Sequence, residues 1–291
     1  MSSLAEPLLR QNSQQLADKF SIPLSRCLSL DVYSSTKPHN LKIANLQKGL
    51  ILTCNGVERV GEGAGFGVPV LVCPDETFFS GSSSVTFAAV SGLTRMVKEF
   101  HMDRVARNAL GNVRLENREV RALMKYLAVL YQKNKGFRSL LFRRFLTEFG
   151  IEVVFERVLT RGRISVTYTF HDNVVDVKVD LSQVGKRYRR GVFVLNEQSA
   201  SFFRVYSDSL GTRLVDGEVG AWDNVDAEWA CFTDLREEFG FRLWRSRDAV
   251  LRRGRETMRG CLDWVGLDYE LNPDVDVFEY RIEQLGAKSN W

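Results

Sequence analysis

The sequence predicts a mainly β protein: an antiparallel β-sandwich, up to the size of a large supersandwich, with a helical insertion that makes it α+β. Three observations carry this expectation. Between Ile164 and Leu181, apolar and polar residues alternate. Ile164, Val166, Tyr168 and Phe170 stand before a turn, and Val175, Val177, Val179 and Leu181 after it. A period of two is the pattern of strands with one buried and one wet face. Asn55-Gly56 stands between the apolar runs 50–54 and 57–60, and a type I′ hairpin turn needs positive φ at both central residues. The third observation is a change of period between residues 94 and 150.

Taken in order, residues 1–25 read as a peripheral arm, because Arg10-Gln11-Asn12-Ser13-Gln14-Gln15 is polar throughout. Leu28 to Tyr33 is a strand closed by Ser34-Ser35-Thr36-Lys37-Pro38. The glycine-rich stretch Gly61-Glu62-Gly63-Ala64-Gly65-Phe66-Gly67 leads into an apolar strand from Val68 to Cys73, and Phe78-Phe79 opens another. From 94 to 108 the reading is helical. Over 117–133, Val120, Leu123, Met124, Leu127 and Leu130 recur at three-and-four spacing, opposite Arg118, Arg121 and Lys125. A second helix fits 137–149, with Gly150 placed to end it. Further strands are expected at 191–197, 201–207, 212–215, 227–233, 238–245, 261–271 and 277–283, punctuated by Gly, Asp and Asn. No repeat or linker divides the chain, so residues 1–291 read as one domain with an insertion at 94–150.

A chain of 291 residues with 44% hydrophobic and 26% charged side chains buries roughly three quarters of its unfolded surface and needs no covalent staple. The five cysteines, Cys27, Cys54, Cys73, Cys231 and Cys261, form no close pair. That excludes the spacing of a zinc cluster or disulfide framework and suits free thiols in a reducing cytoplasm. No apolar stretch approaches the roughly 20 residues of a membrane helix, and residues 1–30 lack the charged start and apolar centre of a secretory signal. The expectation is a soluble cytoplasmic protein without metal or cofactor. Charge is unevenly placed: residues 94–163 hold 16 Lys+Arg against 7 Asp+Glu, and the remainder 24 against 29.

Several positions are candidates for chemistry. The Gly61–Gly67 stretch is not a phosphate loop, since Val68-Pro69-Val70 follows where a helix would have to begin. It is either a bent connection or a ligand-facing loop whose reactive side chain is Glu62. Asn196-Glu197-Gln198, after the apolar run Val192–Leu195, offers a carboxylate base and amides suited to hydroxyl groups; the alternative is satisfaction of backbone groups at a sheet edge. Trp222-Asp223-Asn224 sets an aromatic face beside a carboxylate, or is a core Trp followed by a turn. His171 precedes Asp172-Asn173 in a hairpin, where turn chemistry explains both neighbours. No Gly-x-Ser-x-Gly elbow is present. The basic segment offers Arg118, Arg121 and Lys125 to an acidic partner or nucleic acid, or is a solvated helix face.

The combination of Gly61-Glu62-Gly63-x-Gly65-Phe66-Gly67-Val68-Pro69, Leu195-Asn196-Glu197-Gln198 and Gly220-Ala221-Trp222-Asp223 resembles a set of mainly archaeal β-rich proteins of unknown function. That resemblance implies a strand-rich fold and transfers no activity. The layout is also similar to the large β-sandwich of galactose mutarotases, although the mutarotase pair of histidines has no counterpart. The resulting expectation is binding of a carbohydrate or other polar ligand, with Glu62 and Glu197 as an acid–base pair. Trp222 would be the stacking platform, Arg204 an anion or hydroxyl contact, and Gln198 and Asp223 further ligand-binding groups. The competing expectation is a non-enzymatic interaction protein that uses the basic insertion.

Overall fold

In the computed structural model the described residues are 19–24, 27–33, 47–61, 63–74, 77–90, 93–109, 113–114, 154–171, 174–258 and 262–286. They are mainly β, in antiparallel sheets. The chain divides into two compact units, one of residues 1–102 with 161–291 and one of residues 103–160. Within the second, only strand backbone is described, at 103–109, 113–114 and 154–160.

A four-stranded sheet runs in chain order through β1 (Lys19–Pro23), β2 (Leu28–Tyr33), β3 (Ile51–Cys54) and β4 (Val57–Glu58). The last two are the hairpin read from Asn55-Gly56: Cys54 pairs with Val57, and φ is 51° at Asn55 and 74° at Gly56. Strand β2 has the bounds expected of it. The predicted arm carries an ordered strand, since β1 pairs with β2 and Lys19 Nζ meets the buried Asp31 carboxylate at 2.8 Å; residues 1–18 lie outside the described residues.

The larger sheet has fifteen strands. Its first members are β5 (Gly65–Val72), β6 (Thr77–Val90), β7 (Leu93–Ala109), β8 (Val113–Arg114), β9 (Val154–His171) and β10 (Val174–Asp180). Next come β11 (Gly191–Ser199), β12 (Val205–Asp208), β13 (Arg213–Val215), β14 (Asp223–Asn224) and β15 (Trp229–Thr233). The last are β16 (Gly240–Trp244), β17 (Ala249–Met258), β18 (Leu262–Leu271) and β19 (Val277–Leu285). Across the sheet the order is β13-β12-β15-β16-β19-β10-β9-β7-β6-β5-β11-β18-β17-β14, with β8 paired beside β7. The alternation of 164–181 is the β9–β10 hairpin, with His171 opposite Val174 and Val166 opposite Val179.

Strands far apart in this order also meet through their side chains. Tyr168 of β9 donates its hydroxyl to the Phe66 carbonyl of β5 at 2.8 Å, and Tyr280 of β19 donates to Asn196 Oδ1 of β11 at 2.7 Å. The Phe66 ring meets Phe241 of β16 edge-on at 5.0 Å, and Tyr269 of β18 packs on Phe278 of β19 at 4.9 Å. Such tilted aromatic contacts add about 0.5–1.5 kcal/mol beyond burial.

No helical insertion is found among the described residues. Leu93–Ala109, where residues 94–108 read as helix, is the strand β7. Met96 and Phe100 are four apart and fit a helical period, but Met96, Lys98, Phe100 and Met102 are all buried, which is a period of two. The lysine in that row disguised it. The predicted helices at 117–133 and 137–149 lie outside the described residues.

Lys98 Nζ donates to the backbone carbonyls of Lys48 and Tyr33, and meets no carboxylate among the described residues. Burial pulls its pKa down to about 7, because a desolvated ammonium is costly. The unfolded chain then binds this proton more tightly than the folded one between pH 7 and about 10, and stability rises with pH across that window. Chemical denaturation at pH 7 and 9.5 should show a gain on the order of 2 kcal/mol from this group. Lys98→Met, which keeps the volume and removes the charge, is expected to lose that gain and to be the more stable protein at pH 7.

Candidate functional site

The site begins with an irregularity between β5 and β11. Leu195 pairs with Val68 but Asn196 pairs with Phe66, so Gly67 is an extra residue in β5. Its φ of 77° and the 2.6 Å between a would-be Cβ and the Tyr168 hydroxyl leave room only for glycine. The Gly67 N–H donates to Asn196 Oδ1 at 3.1 Å. The same oxygen accepts from Tyr280, and Asn196 Nδ2 donates to the Val194 and Leu267 carbonyls at 3.2 and 3.0 Å. Two donors and two acceptor positions are the full capacity of an Asn amide, and all are used.

Successive side chains on a strand point to opposite faces, so Glu197 leaves β11 on the face opposite Asn196. On that face the register places Gly254 of β17 opposite Gly266 of β18, and Gly266 opposite Glu197. The two glycines make a trough, and the Trp222 indole lies in it. A Cβ on Gly254 would stand 2.5 Å from Trp222 Cδ2. One on Gly266 would stand 2.9 Å from Trp222 Cη2 and 3.1 Å from Glu197 Cγ. Glutamate and indole therefore meet over Gly266. Trp222 Nε1 donates to Glu256 Oε1 at 2.8 Å, and its segment is fixed by the pairing of β14 with β17 and by the Arg255 N–H bond to the Gly220 carbonyl at 3.0 Å.

The glycine-rich stretch walls the other side. Glu197 Oε2 accepts from the Ala64 N–H at 3.0 Å, and a Cβ on Gly63 would fall 2.7 Å from the Glu197 carbonyl. Gly61 is similarly pressed on Ser199, and its carbonyl accepts from Lys48 Nζ at 2.6 Å. Glu62 lies outside the described residues, although the glycines on both sides of it abut β11.

A second buried carboxyl shares this face. Asp268 lies two residues beyond Gly266, and its Oδ1 accepts the Asn196 N–H at 2.8 Å. Burial raises the Asp268 pKa well above the ordinary range, and the neighbouring Glu197 charge adds to it. Burial likewise pushes Glu197 up to about 7, against the Ala64 N–H and Lys48, which favour its anion. The two carboxyls titrate as a pair. The pattern Gly266-x-Asp268 carries the signal for this residue, but only once β17 is known to lie beside β18.

The other predicted residues are placed as follows. Gln198 points to the interior with Asn196, fully buried, and neither atom of its amide has a hydrogen-bond partner among the described residues. It is therefore not on the Glu197 face. Asp223 is exposed on β14, where it forms no ion pair among the described residues. Arg204 grips Asp216 through Nε, at 2.7 Å, and Nη2. It lines a separate polar hollow of about 830 Å³ with Ser201, Asp216, Arg255 and Thr257, and neither Glu197 nor Trp222 lines that hollow. His171 Nε2 meets Asp176 at 2.9 Å. Arg118, Arg121 and Lys125 lie outside the described residues. Among the described residues no group of three His, Cys, Asp or Glu is placed to hold a metal, and no helix is long and apolar enough to cross a membrane.

The chain matches no protein-family model and no curated protein. What the site can do follows from its own groups: a carboxyl whose pKa burial pushes up to about 7, a second carboxyl beside it raised well above the ordinary range, and an indole packed on glycine.

A raised carboxyl pKa favours the fold at low pH, and the contribution is lost as pH rises from about 4.5 to about 7. Glu197→Gln keeps an acceptor for the Ala64 N–H and removes the ionisation. In denaturant titrations it is expected to be more stable than the wild type at pH 8, by on the order of 2 kcal/mol, and equal to it near pH 4. Gly254→Ala is expected to expel the indole, seen as a red shift of tryptophan emission that disappears in a Trp222→Phe background.

Proposed function

We propose that the protein binds a carbohydrate, or a ligand equally rich in hydroxyl groups, over the Trp222 indole, and that Glu197 exchanges the proton in any chemistry done there. In this reading the strands are layered as a β-sandwich with the trough on an outer face. The single observation that carries it is the meeting of Glu197 Cγ and the Trp222 ring over Gly266. An aromatic face accepts the apolar side of a sugar ring, and a few placed polar groups fix its orientation. A general acid or base works best with a pKa near the working pH, which is where burial puts Glu197.

The division of labour follows from the environments. Asp268 is held by the Asn196 amide, its pKa raised by burial and by the neighbouring Glu197 charge, and it is given no part in the reaction. Glu197 can give its proton to a hydroxyl or ether oxygen, or take one as the anion. Glu62, between the glycines that abut β11, is proposed as the second carboxylate of the acid–base pair. Glu256, tied to the indole N–H, holds the platform in position.

The test is calorimetric titration with a panel of neutral oligosaccharides near pH 7, in buffers of different ionisation enthalpy. The expected result is binding linked to proton uptake or release. Glu197→Gln should abolish the linked proton, and Trp222→Ala should weaken binding by about tenfold, the scale of one lost stacking contact. Binding that survives both substitutions unchanged, or no saccharide bound at millimolar concentration, sinks the reading.

A further inference from the structure

Another part of the larger sheet carries a surface that uses none of the trough's residues. The pairing of β15 with β16 sets Trp229 directly opposite Trp244. Trp229 is capped by Arg242, whose guanidinium lies 4.3 Å from the ring centre and donates to Glu283 at 3.1 Å. Among the described residues no cation caps Trp244, which is 41% exposed. Its backbone is nonetheless fixed from the core, where the buried Tyr269 donates its hydroxyl to the Trp244 carbonyl at 2.6 Å. An exposed indole on a rigid strand end is a preorganised platform, with little ordering cost on binding.

Beside it lies a hollow of about 550 Å³, within the ordinary range of ligand pockets, floored by the outward residues of β9, β10 and β19. Two of its cations are already neutralised: Arg281 holds Asp176 at 2.8 Å and Lys178 holds Glu279 at 3.4 Å. The other two, Arg95 and Arg245, line the hollow and meet no carboxylate among the described residues; Arg245 Nη1 donates only to the Asp226 carbonyl at 3.2 Å. Thr167, Thr169 and Ser246 add hydroxyls. The hollow therefore joins an open aromatic face, a surplus of two guanidinium charges and fixed acceptors for hydroxyl groups.

We infer that this hollow is a binding site for an acidic saccharide, a sugar chain bearing carboxylate groups. One ring stacks on Trp244, its carboxylate takes the fork of Arg95 or Arg245, and its hydroxyls meet the threonines and the paired carboxylates. Guanidinium groups match carboxylates in geometry as well as charge. Single-stranded nucleic acid fits less well, because it asks for successive stacking rings, and here the second indole is covered by Arg242 while Asp176 and Glu279 face the phosphates.

The test titrates the full chain with an oligogalacturonate, with the neutral oligosaccharide of the same linkage, and with a single-stranded oligonucleotide, following tryptophan emission and heat. The expected result is salt-sensitive binding of the oligogalacturonate, at least about tenfold tighter than of the neutral chain. Trp244→Ala and the pair Arg95→Gln with Arg245→Gln should each weaken it by about tenfold, whereas Trp222→Ala and Glu197→Gln leave it unchanged. Should Trp244→Ala fail to fold, the arginine pair carries the test. The inference is overturned by no oligogalacturonate binding at millimolar concentration, by equal affinity for the neutral chain, by tighter binding of the oligonucleotide, or by binding indifferent to these substitutions. Loss of binding through Trp222 or Glu197 instead would overturn this site and leave the trough standing.

Discussion

The structure turns on Asn196. A single buried amide accepts from the Gly67 N–H, freed by the irregularity in β5, and from the Tyr280 hydroxyl, and donates to the carbonyls of Val194 and Leu267. It thereby ties β5, β11, β18 and β19 to one point. A buried amide is costly unless its bonds are made, and here a different register would leave several unmade at once. That constraint fixes which face Glu197 takes, because a slip of one residue would reverse every side chain on β11. Glu197 owes its environment to its neighbour in the chain.

Around that point the fold tolerates three titratable groups without full charge compensation. Among the described residues Lys98 is buried with carbonyl partners alone, and Glu197 and Asp268 are neighbouring buried carboxyls. The lysine lies where β7 meets the backbone of residues 48 and 33. The carboxyls lie beneath an indole at the edge of the sheet. Shifted carboxyls concentrate where chemistry is done, and the second placement is the one on which the proposed site rests. Gln198, two residues from Asn196, is the opposite case: its amide is buried without partners among the described residues, and an unmade bond there costs about 1–3 kcal/mol.

Much of the β architecture was legible because it rests on local patterns. Asn55-Gly56 marks its hairpin through the φ values it permits, and the alternation of 164–181 marks β9 and β10. β7 was misread because Lys98 occupies an inward position that pattern reading assigns to apolar residues. β17 was missed because Arg252, Arg253 and Arg255 cover its alternation. That omission hid the trough, since Gly254 and Gly266 acquire meaning only when opposed across two strands. Glu197 and Trp222 were readable as candidates from their neighbours, but their meeting is a fact of register. Asp268 and the Trp244 surface depend on pairings that no local sequence signal announces.

The contacts that define the trough join very distant parts of the chain. Ala64 and Glu197 are separated by 133 residues, Gly67 and Asn196 by 129, and Asn196 and Tyr280 by 84. Loop closures of that span come late in folding. The Glu197 carboxyl is therefore hydrated and acidic, like any free glutamate, in a chain whose distant segments have not met, and it acquires its raised pKa only when Ala64, Gly266 and the Trp222 ring are brought around it.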